Sequence, residues 1–329
     1  MIKIGLLSGW HVHAKGYARE LLSSNRVEIS GIWDELPDRG SAWAQELDTV
    51  FYTDMDDLLN SGIDGVVINV PTNMHREIMI KAAKAKKHIF TEKVLTDKIE
   101  DALAIQKYVV DSGVKFVISL PHRTMPKNLY AKEIVESGLL GEISLFRVRN
   151  AHSGASDNWL PAHFYSKEQC GGGAMIDLGA HPMYLARWLM GKPEKVYSAF
   201  TFVTGHEVED NAVTVFKYKN GAVSIVETGF VTPASPFSME IYGTKGTLFV
   251  DGKDQGVLQS GRLAETDKKI SGWFRPSTMP KPLKSAVYQW LDAIEFNEPI
   301  EFGIKDAVEL TEMMDRAYAA HDANSELEF

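Results

Sequence analysis

The chain has 329 residues, of which 44% are hydrophobic and 24% charged, the balance of a globular protein. Its formal net charge of −9 disfavours a nucleic-acid partner, because an acidic surface repels phosphate backbones. Cys170 is the sole cysteine, so no intrachain disulfide can form and a reducing, cytoplasmic location is expected. We expect no membrane association, because no signal peptide is recognisable and no apolar run approaches roughly 20 residues.

At this length two domains are expected, because single cores stop growing near about 250–300 residues. The first third alternates β-branched runs with amphipathic helical stretches, which is typical of a doubly wound parallel sheet. Strands are predicted at 2–7, 27–33, 65–70, 88–90 and 114–119, and helices at 14–23, 38–47, 54–60, 74–85 and 98–112. These elements predict an α/β fold with an N-terminal Rossmann domain that binds a nucleotide, over residues 1–121.

Beyond Pro121 the pattern changes, because strands follow one another without intervening helices. Lys219-Asn220-Gly221, between two alternating runs, is a strong hairpin signal. The predicted elements are helices at 126–137, 171–190, 283–296 and 305–320, strands at 143–150, 196–203, 212–218, 222–230, 238–242 and 247–250, and loops at 153–161 and 253–282. We therefore expect a C-terminal α+β domain over residues 122–329, with a large, mostly antiparallel open sheet.

The turn after the first predicted strand has the position of a phosphate-binding turn but only part of its sequence. Such a turn sets backbone amides and a helix N-terminus against a pyrophosphate, whereas here Ser8 and Trp10 flank Gly9 where glycines are usual. Asp34, at the end of the second strand, is a candidate acceptor for the adenosine ribose hydroxyls, although it could equally begin a surface turn. Arg39 nearby keeps NADP open beside NAD.

His11-Val12-His13 suggests a different chemistry. Two alternating histidines at a strand end also begin the metal site of hydrolases built on the (β/α)₈ barrel. That site needs further His and Asp ligands at later parallel strand ends, and the parallel pattern stops after Ser119. A helix-cap or packing role for one of these histidines is therefore favoured over a ligand role.

Two further segments carry side chains suited to proton and hydride transfer. Lys93 follows a predicted parallel strand, where an ammonium could stabilise a developing alkoxide, although a surface lysine would look the same. Asp177 and His181 follow Gly171-Gly172-Gly173 and lie four residues apart, so on a helix they would share one face. A histidine oriented by a carboxylate suits proton transfer at neutral pH, whereas a capped helix with a satisfied histidine is the structural alternative.

These two segments resemble signatures of the Gfo/Idh/MocA family (glucose–fructose oxidoreductase, inositol dehydrogenase and relatives). Thr91-Glu92-Lys93-Val94-Leu95 resembles its Glu-Lys-Pro motif, and the glycine run with Asp177 and His181 resembles its second signature. Matches at 70–75, 137–143 and 308–319 extend the resemblance over nearly the whole chain. The resemblance implies an NAD(P)-dependent dehydrogenase that acts on a sugar, polyol or cyclic alcohol and assembles as a homodimer or homotetramer.

By that resemblance Lys93, Asp177 and His181 are the catalytic residues. The predicted cofactor-binding residues are Ser8, Gly9, Trp10, His11, His13, Asp34, Pro71, Thr72, Asn73, His75, Glu92 and Lys93. Polar and aromatic side chains near the predicted sheet-edge loops of the second domain are the candidate substrate contacts, namely His122, Arg123, His152, Asp157, Asn158, Trp159, His163 and Asn211.

The chain departs from the family pattern at three places. Val94 replaces the proline of the lysine motif, Tyr184 stands where a second acid often follows the histidine, and Ser8, Trp10 and His13 replace glycines of the phosphate turn. A sub-group with a His-x-His-Ala first turn looks similar. The altered turn motivates an alternative hypothesis, a non-catalytic sensor of nucleotide or sugar. A metal-dependent hydrolase built on the paired histidines, or a lyase-like use of bound NAD, is a third.

Overall fold

The computed structural model describes residues 1–235, 237–251, 257–261 and 273–329. The chain forms two compact units, the first made of Met1–Leu120 with Lys284–Thr311 and the second of Pro121–Leu283 with Glu312–Phe329. The prediction divides the chain once, at residue 121, whereas in the structure the later segment Lys284–Thr311 also belongs to the first unit. That segment returns because Trp290, fully buried, packs against Phe90 with ring centroids 5.9 Å apart.

The predicted elements occur in the predicted order, most with ends shifted by a few residues. The helices are α1 (Ala14–Ser23), α2 (Pro37–Glu46), α3 (Met55–Asn60), α4 (His75–Lys84), α5 (Ile99–Ser112), α6 (Pro126–Glu136), α7 (Lys167–Cys170), α8 (Ala180–Met190), α9 (Ala286–Phe296) and α10 (Ile304–Ala323). The strands are β1 (Ile2–Leu7), β2 (Val27–Trp33), β3 (Gly65–Ile68), β4 (His88–Thr91), β5 (Phe116–Ile118), β6 (Ile143–Ala151), β7 (Lys195–Thr201), β8 (Asn211–Lys217), β9 (Val223–Gly229), β10 (Ser238–Gly243), β11 (Gly246–Asp251), β12 (Val257–Gly261), β13 (Trp273–Phe274) and β14 (Leu327–Glu328). Of these elements, α7, β12, β13 and β14 are additional to those predicted. None of the helices in the described part of the chain has the length and apolar character that a membrane span needs.

The first unit contains a parallel sheet in the order β2-β1-β3-β4-β5. Ile32 of β2 forms an isolated parallel bridge with Phe51 at the outer edge of the sheet. Phe51 thus lies where the edge strand of a Rossmann sheet, the third in that fold's order 3-2-1-4-5-6, would lie. All four residues of β3 are buried, as expected for a strand covered on both faces. The strand order reverses between β1 and β3, and in open α/β sheets ligands bind at the carboxyl ends of strands at such a point.

The second unit contains nine described strands in the order β13-β12-β11-β10-β6-β9-β8-β7-β14. All neighbours are antiparallel except β6 and β9, which run parallel. The hairpin predicted at Lys219-Asn220-Gly221 is confirmed, because Lys217 of β8 pairs with Val223 of β9 around it. The mostly antiparallel sheet predicted for the C-terminal half is therefore confirmed.

Two predicted elements differ from the structure. The helix predicted from the glycine run begins only at Ala180, because amides in that run donate to Glu209 instead of forming a helical ladder. The loop predicted at 253–282 contains β12, which pairs with β11, and the short β13. The rest of that prediction at 253–256 and 262–272 lies outside the described residues.

Candidate active site

Backbone amides of the turn between β1 and α1 donate hydrogen bonds to acceptors within the same chain. Ser8 takes the left-handed conformation (φ 72°) for which a phosphate-binding turn ordinarily uses glycine. The internal hydrogen bonds are Gly9 N to Asp34 Oδ2 (2.9 Å), Trp10 N to Ser8 Oγ (3.0 Å), His11 N to Asn69 O (3.2 Å), His13 N to His11 Nδ1 (3.2 Å) and Ala14 N to His11 O (3.0 Å). The turn has the right place for a pyrophosphate, but these five amides already have acceptors within the chain.

Asp34 directly follows β2, and its fully buried carboxylate accepts four hydrogen bonds. The donors are Gly9 N at 2.9 Å, Leu36 N at 2.8 Å, and two nitrogens of Arg39 at 2.9 and 2.7 Å. Arg39 also donates to Glu35 Oε1, so its guanidinium lies between two carboxylates. The predicted ribose-binding acid is therefore part of an acid–arginine group at the edge where the adenosine ribose of a dinucleotide belongs.

Glu92 and Lys93 directly follow β4, at the same carboxyl edge of the sheet. The buried Glu92 carboxylate lies 2.6 Å from His13 Nδ1, accepts a hydrogen bond from Tyr17 Oη, and accepts the Lys93 amide at 2.7 Å. Burial opposes ionisation of Glu92, but the hydrogen bond with His13 and the positive charge of Lys93 outweigh it and hold the pKa of Glu92 well below the usual value. Glu92 is therefore an ionised carboxylate in the interior. Burial and the negative charge of Glu92 raise the pKa of Tyr17.

His11, His13 and Glu92 also form the one group of potential metal ligands in the described part of the chain, with ligand atoms within 4.8 Å of one another. The ring of His11 argues against a metal role. Its Nδ1 accepts the amide of His13, so the neutral ring carries its proton on Nε2, the nitrogen that would have to bind the ion. The sheet is also a five-stranded Rossmann sheet and not a barrel, so the hydrolase hypothesis is not favoured.

The loop from Pro71 follows β3 and forms a 3₁₀ turn over Thr72–Met74. His75 begins α4 only 2% exposed, with Nδ1 2.8 Å from Leu95 O and Nε2 3.1 Å from Val70 O. It is one of the predicted cofactor-binding residues, and the structure places it in the interior, where burial lowers its pKa. His75 therefore ties the loop after β3 to the segment that follows Lys93.

Asn69, just beyond β3, was missed by the sequence analysis although it interrupts an otherwise apolar run. It is 1% exposed, and neither polar atom of its side chain has a hydrogen-bond partner among the residues described. Leaving a buried amide unpaired costs about 1–3 kcal/mol, which a polar ligand at this edge would offset. The orphaned amide and the Rossmann strand order fit a nicotinamide dinucleotide at this edge.

In the second unit, the glycine-rich segment is organised by Glu209. One oxygen of this buried carboxylate accepts the amides of Gly173 (3.0 Å) and Met175 (2.9 Å) and the hydroxyl of Tyr318 (2.5 Å). Burial raises the pKa of Glu209 and that of Tyr318. A Cβ at Gly172 would lie 2.0 Å from Tyr318 Oη, which explains the glycine there. Glu209 and Tyr318 were not predicted, because no local pattern links residues so far apart.

Substituting Gly173 by alanine is expected to destabilise the protein by about 1–3 kcal/mol. The new Cβ would lie 2.1 Å from the backbone oxygen of Glu209, which cannot swing away as a side chain could. Urea denaturation measures the change, with Gly16→Ala as the matched control, because a Cβ at Gly16 in α1 meets nothing within 4 Å. An unchanged denaturation midpoint for Gly173→Ala would contradict this account of the segment.

His181 lies in the first turn of α8, and its Nδ1 is 2.9 Å from Tyr184 Oη. That hydroxyl also accepts the amide of His122 at 3.0 Å, and the rings of His122 and His181 stack 4.5 Å apart. Asp177 lies in the turn before α8 and not in the helix that carries His181. The side chain placed on the predicted base is a tyrosine at the position where the family often has a second acid.

A second group surrounds His152 at the end of β6. Its Nδ1 accepts the amide of Gly154 at 3.0 Å, and its ring lies 5.1 Å from Phe230 and 4.5 Å from Trp159. Burial lowers the pKa of His152, and the negative charge of Asp177 opposes that shift. The charge of Asp177, the predicted catalytic acid, therefore acts on the ionisation of His152.

The remaining predicted substrate contacts interact with their own neighbours. Arg123 lies over Trp188 (4.9 Å), Asp157 accepts from Ser153 Oγ (2.5 Å), Asn158 is left-handed (φ 54°), His163 stacks on Phe164 (4.9 Å), and Asn211 donates to Thr201 Oγ1 (3.2 Å). Among the eight candidates, the structure groups His122 with His181 and Tyr184, and His152 with Trp159.

Comparison with known proteins gives matches in both units. The family model described as an oxidoreductase family with an NAD-binding Rossmann fold matches residues 4–120, and the GFO/IDH/MocA C-terminal domain model matches residues 128–249. Scyllo-inositol 2-dehydrogenase (NAD(+)) of Bacillus subtilis (strain 168) is 28% identical over 263 residues, 75% of this chain and 72% of that protein. The 2,7-anhydro-N-acetylneuraminate hydratase of Escherichia coli (strain K12) is 27% identical over 276 residues, 79% and 71% of the two chains.

A solved structure of levoglucosan dehydrogenase with NADH and levoglucosan shares the fold, with a TM-score of 0.86 and 20% identity over 99% of this chain and 98% of that one. The two family matches follow each other in the order of the two units and take in most of the chain. They carry the predicted lysine motif in the first match and the glycine-rich signature in the second. The chain is a member of the Gfo/Idh/MocA family of oxidoreductases, with an NAD-binding Rossmann domain.

Proposed function

We propose that this protein is an NAD-dependent dehydrogenase that oxidises a secondary alcohol of a sugar, polyol or cyclic alcohol, or catalyses the reverse reduction. The observation that carries the proposal is the pair of family matches, which contain Lys93 and His181. When bound, NAD accepts the hydride that leaves the carbinol carbon. The hydroxyl proton passes to His181, which leaves a carbonyl product.

The roles proposed for the side chains follow from their chemistry. The ammonium of Lys93 stabilises the substrate oxygen as negative charge builds on it. His181 accepts the proton at Nε2, which requires Nδ1–H to donate to Tyr184 Oη. Asp177 is proposed to favour the protonated histidine through its charge. The groups around His122 and His152 are proposed to contact the substrate, with Trp159 stacking on an apolar sugar face.

The test is a panel of inositols, aldoses and anhydrosugars assayed with NAD by the appearance of NADH. Reduction of NAD by at least one member is expected. NADH binding measured by calorimetry without turnover of any member would favour the sensor hypothesis instead. A lyase-like reaction is a second candidate, because the Escherichia coli relative is a hydratase. Such a reaction would convert substrate without net formation of NADH, and product analysis by NMR distinguishes it.

We expect a preference for NAD over NADP of at least about tenfold in kcat/KM. A 2′-phosphate beside Asp34 would meet two carboxylates, Asp34 and Glu35, whose combined charge Arg39 only partly neutralises. Glu35→Gln should narrow the preference, because it leaves Arg39 with one carboxylate partner fewer. Steady-state kinetics with both cofactors measure the ratio, and a wild-type preference for NADP would contradict this interpretation.

We further propose that the protein is a cytoplasmic homodimer or homotetramer of the sub-group with a His-x-His-Ala first turn. The resemblance of the sequence to its family supports the assembly, and the single cysteine, Cys170, which is buried, is compatible with a reducing compartment. Analytical ultracentrifugation of the full chain tests the oligomeric state, and a monomer at micromolar concentration would contradict it.

A further inference from the structure

Four backbone amides of the turn between β1 and α1 are engaged within the chain, and a dinucleotide could use them only by displacing these hydrogen bonds. The amides of Gly9, Trp10, His11 and His13 all donate to acceptors within the chain. A diphosphate carries negative charge and ordinarily takes such amides at the N-terminus of the first helix. A cofactor bound in this fold therefore needs another source of donors and positive charge at the same edge.

His13 is placed to supply that charge. It is the N-cap residue of α1, its side chain is 57% exposed, and its Nδ1 lies 2.6 Å from the Glu92 carboxylate. Because an ionised carboxylate only accepts, Nδ1 carries a proton, and the buried negative charge of Glu92 favours a second proton on Nε2. His13 can thus present an N–H and a positive charge where α1 begins.

His11 adds a second donor of fixed orientation. Its Nδ1 accepts the His13 amide at 3.2 Å, so its own proton is on Nε2. The rings of His11 and His13 meet edge to face with centroids 4.9 Å apart, so both imidazoles belong to one cluster. The titratable groups facing that cluster are Tyr17 on α1 and Glu92 and Lys93 after β4.

Asn69 is an independent sign that a polar ligand belongs at this edge. Its backbone oxygen accepts the amide of His11, which places it beside the turn, and its side-chain amide is buried without a partner among the described residues. Buried amides in native proteins are nearly always hydrogen-bonded, so an orphaned one at a ligand-binding edge points to a group supplied from outside.

We propose that the imidazolium of His13, held by Glu92, binds the diphosphate of the dinucleotide together with the side-chain amide of Asn69, in place of the glycine-turn amides. The inference rests on the proposed function in that it presupposes the dinucleotide. It assigns His13 a role in cofactor binding that involves neither a metal ion nor the hydride transfer itself.

The test is calorimetric titration of the full chain with NADH, ADP-ribose and adenosine. His13→Gln should weaken ADP-ribose and NADH by about tenfold to a hundredfold, the range of a charged hydrogen bond, and leave adenosine, which has no phosphate, within twofold. Asn69→Ala should weaken the same two ligands by a smaller factor. Arg19→Gln is the matched control, because it removes an exposed positive charge from α1 away from the turn and should bind as wild type does.

A second measurement needs no variant. The affinity of the wild-type protein for ADP-ribose should fall as the pH rises from about 6 to about 9, because an imidazolium loses its charge over that interval. The affinity for adenosine should stay constant.

Equal ADP-ribose affinity of His13→Gln and wild type would overturn the inference, as would a pH-independent wild-type affinity. An increase in ADP-ribose affinity on adding Zn²⁺, reversed by EDTA and absent in His13→Gln, would overturn it in favour of a metal held by the same side chains. If the wild-type protein binds no NADH at any pH, the proposed function fails instead, so the two failures are distinguishable.

Discussion

Replacing Lys93 by methionine is expected to lower kcat/KM for alcohol oxidation by about 10²–10³-fold, the usual effect of removing one group that stabilises a developing oxyanion. Methionine keeps much of the length and apolar character of the lysine stem but carries no charge. Since Lys93 is only 9% exposed and its backbone is fixed by the hydrogen bond to Glu92, the ammonium is held in one region of the strand edge. Steady-state reduction of NAD with the best substrate of the panel measures the effect.

The matched control is Lys107→Met on α5, where the ammonium is largely exposed and pairs with Asp111. That variant should retain the wild-type kcat/KM, and circular dichroism should show both variants folded. A Lys93→Met enzyme with wild-type kcat/KM would remove the lysine from the proposed mechanism.

His181→Ala is expected to lower kcat by about 10²–10⁴-fold, the typical contribution of a general base. Tyr184→Phe should lower kcat by roughly tenfold with little change in KM, because it leaves the imidazole in place but removes the acceptor that its Nδ1–H needs. A structural role alone would lower stability without this separation of kcat from KM. Stopped-flow and steady-state reduction of NAD distinguish the hydride step from product release.

His88→Gln serves as the control for His181→Ala. His88 begins β4, at the strand end opposite to Lys93, and its Nδ1 accepts the amide of Lys115. His88 takes no part in the proposed oxidation of the substrate, so the kcat of His88→Gln should lie within twofold of the wild-type value. NAD reduction that survives in the combined Lys93→Met and His181→Ala variant would rule out the proposed acid–base mechanism.

The sequence alone predicts the elements whose signals are local. The buried strand β3 is a continuous apolar run, and the β8–β9 hairpin is marked by Asn220-Gly221. The start of α8 is not determined by a local signal. The amides that would extend the helix backward donate to Glu209, which lies 36 residues after Gly173. Competition from a distant acceptor leaves no mark on the local pattern.

The candidate site divides in the same way. Lys93 and His181 stand in recognisable motifs, so their residues are predictable even where their partners are not. The contact between His13 and Glu92 joins residues 79 apart and depends on how β1, β3 and β4 lie side by side. The hydroxyl of Tyr184 lies on His181 Nδ1, a partner that the sequence did not predict, and Asp177 lies outside the helix because that helix starts late.

Both units are closed by segments from the end of the chain. Trp290 of α9 fills the core of the first unit, and Tyr318 of α10 completes the buried hydrogen bonds around Glu209 in the second. During synthesis on the ribosome, the first unit can therefore not reach its final packing before Trp290 is translated, nor the second before Tyr318 is. A nascent chain of this protein would therefore expose unfinished cores until these late segments emerge.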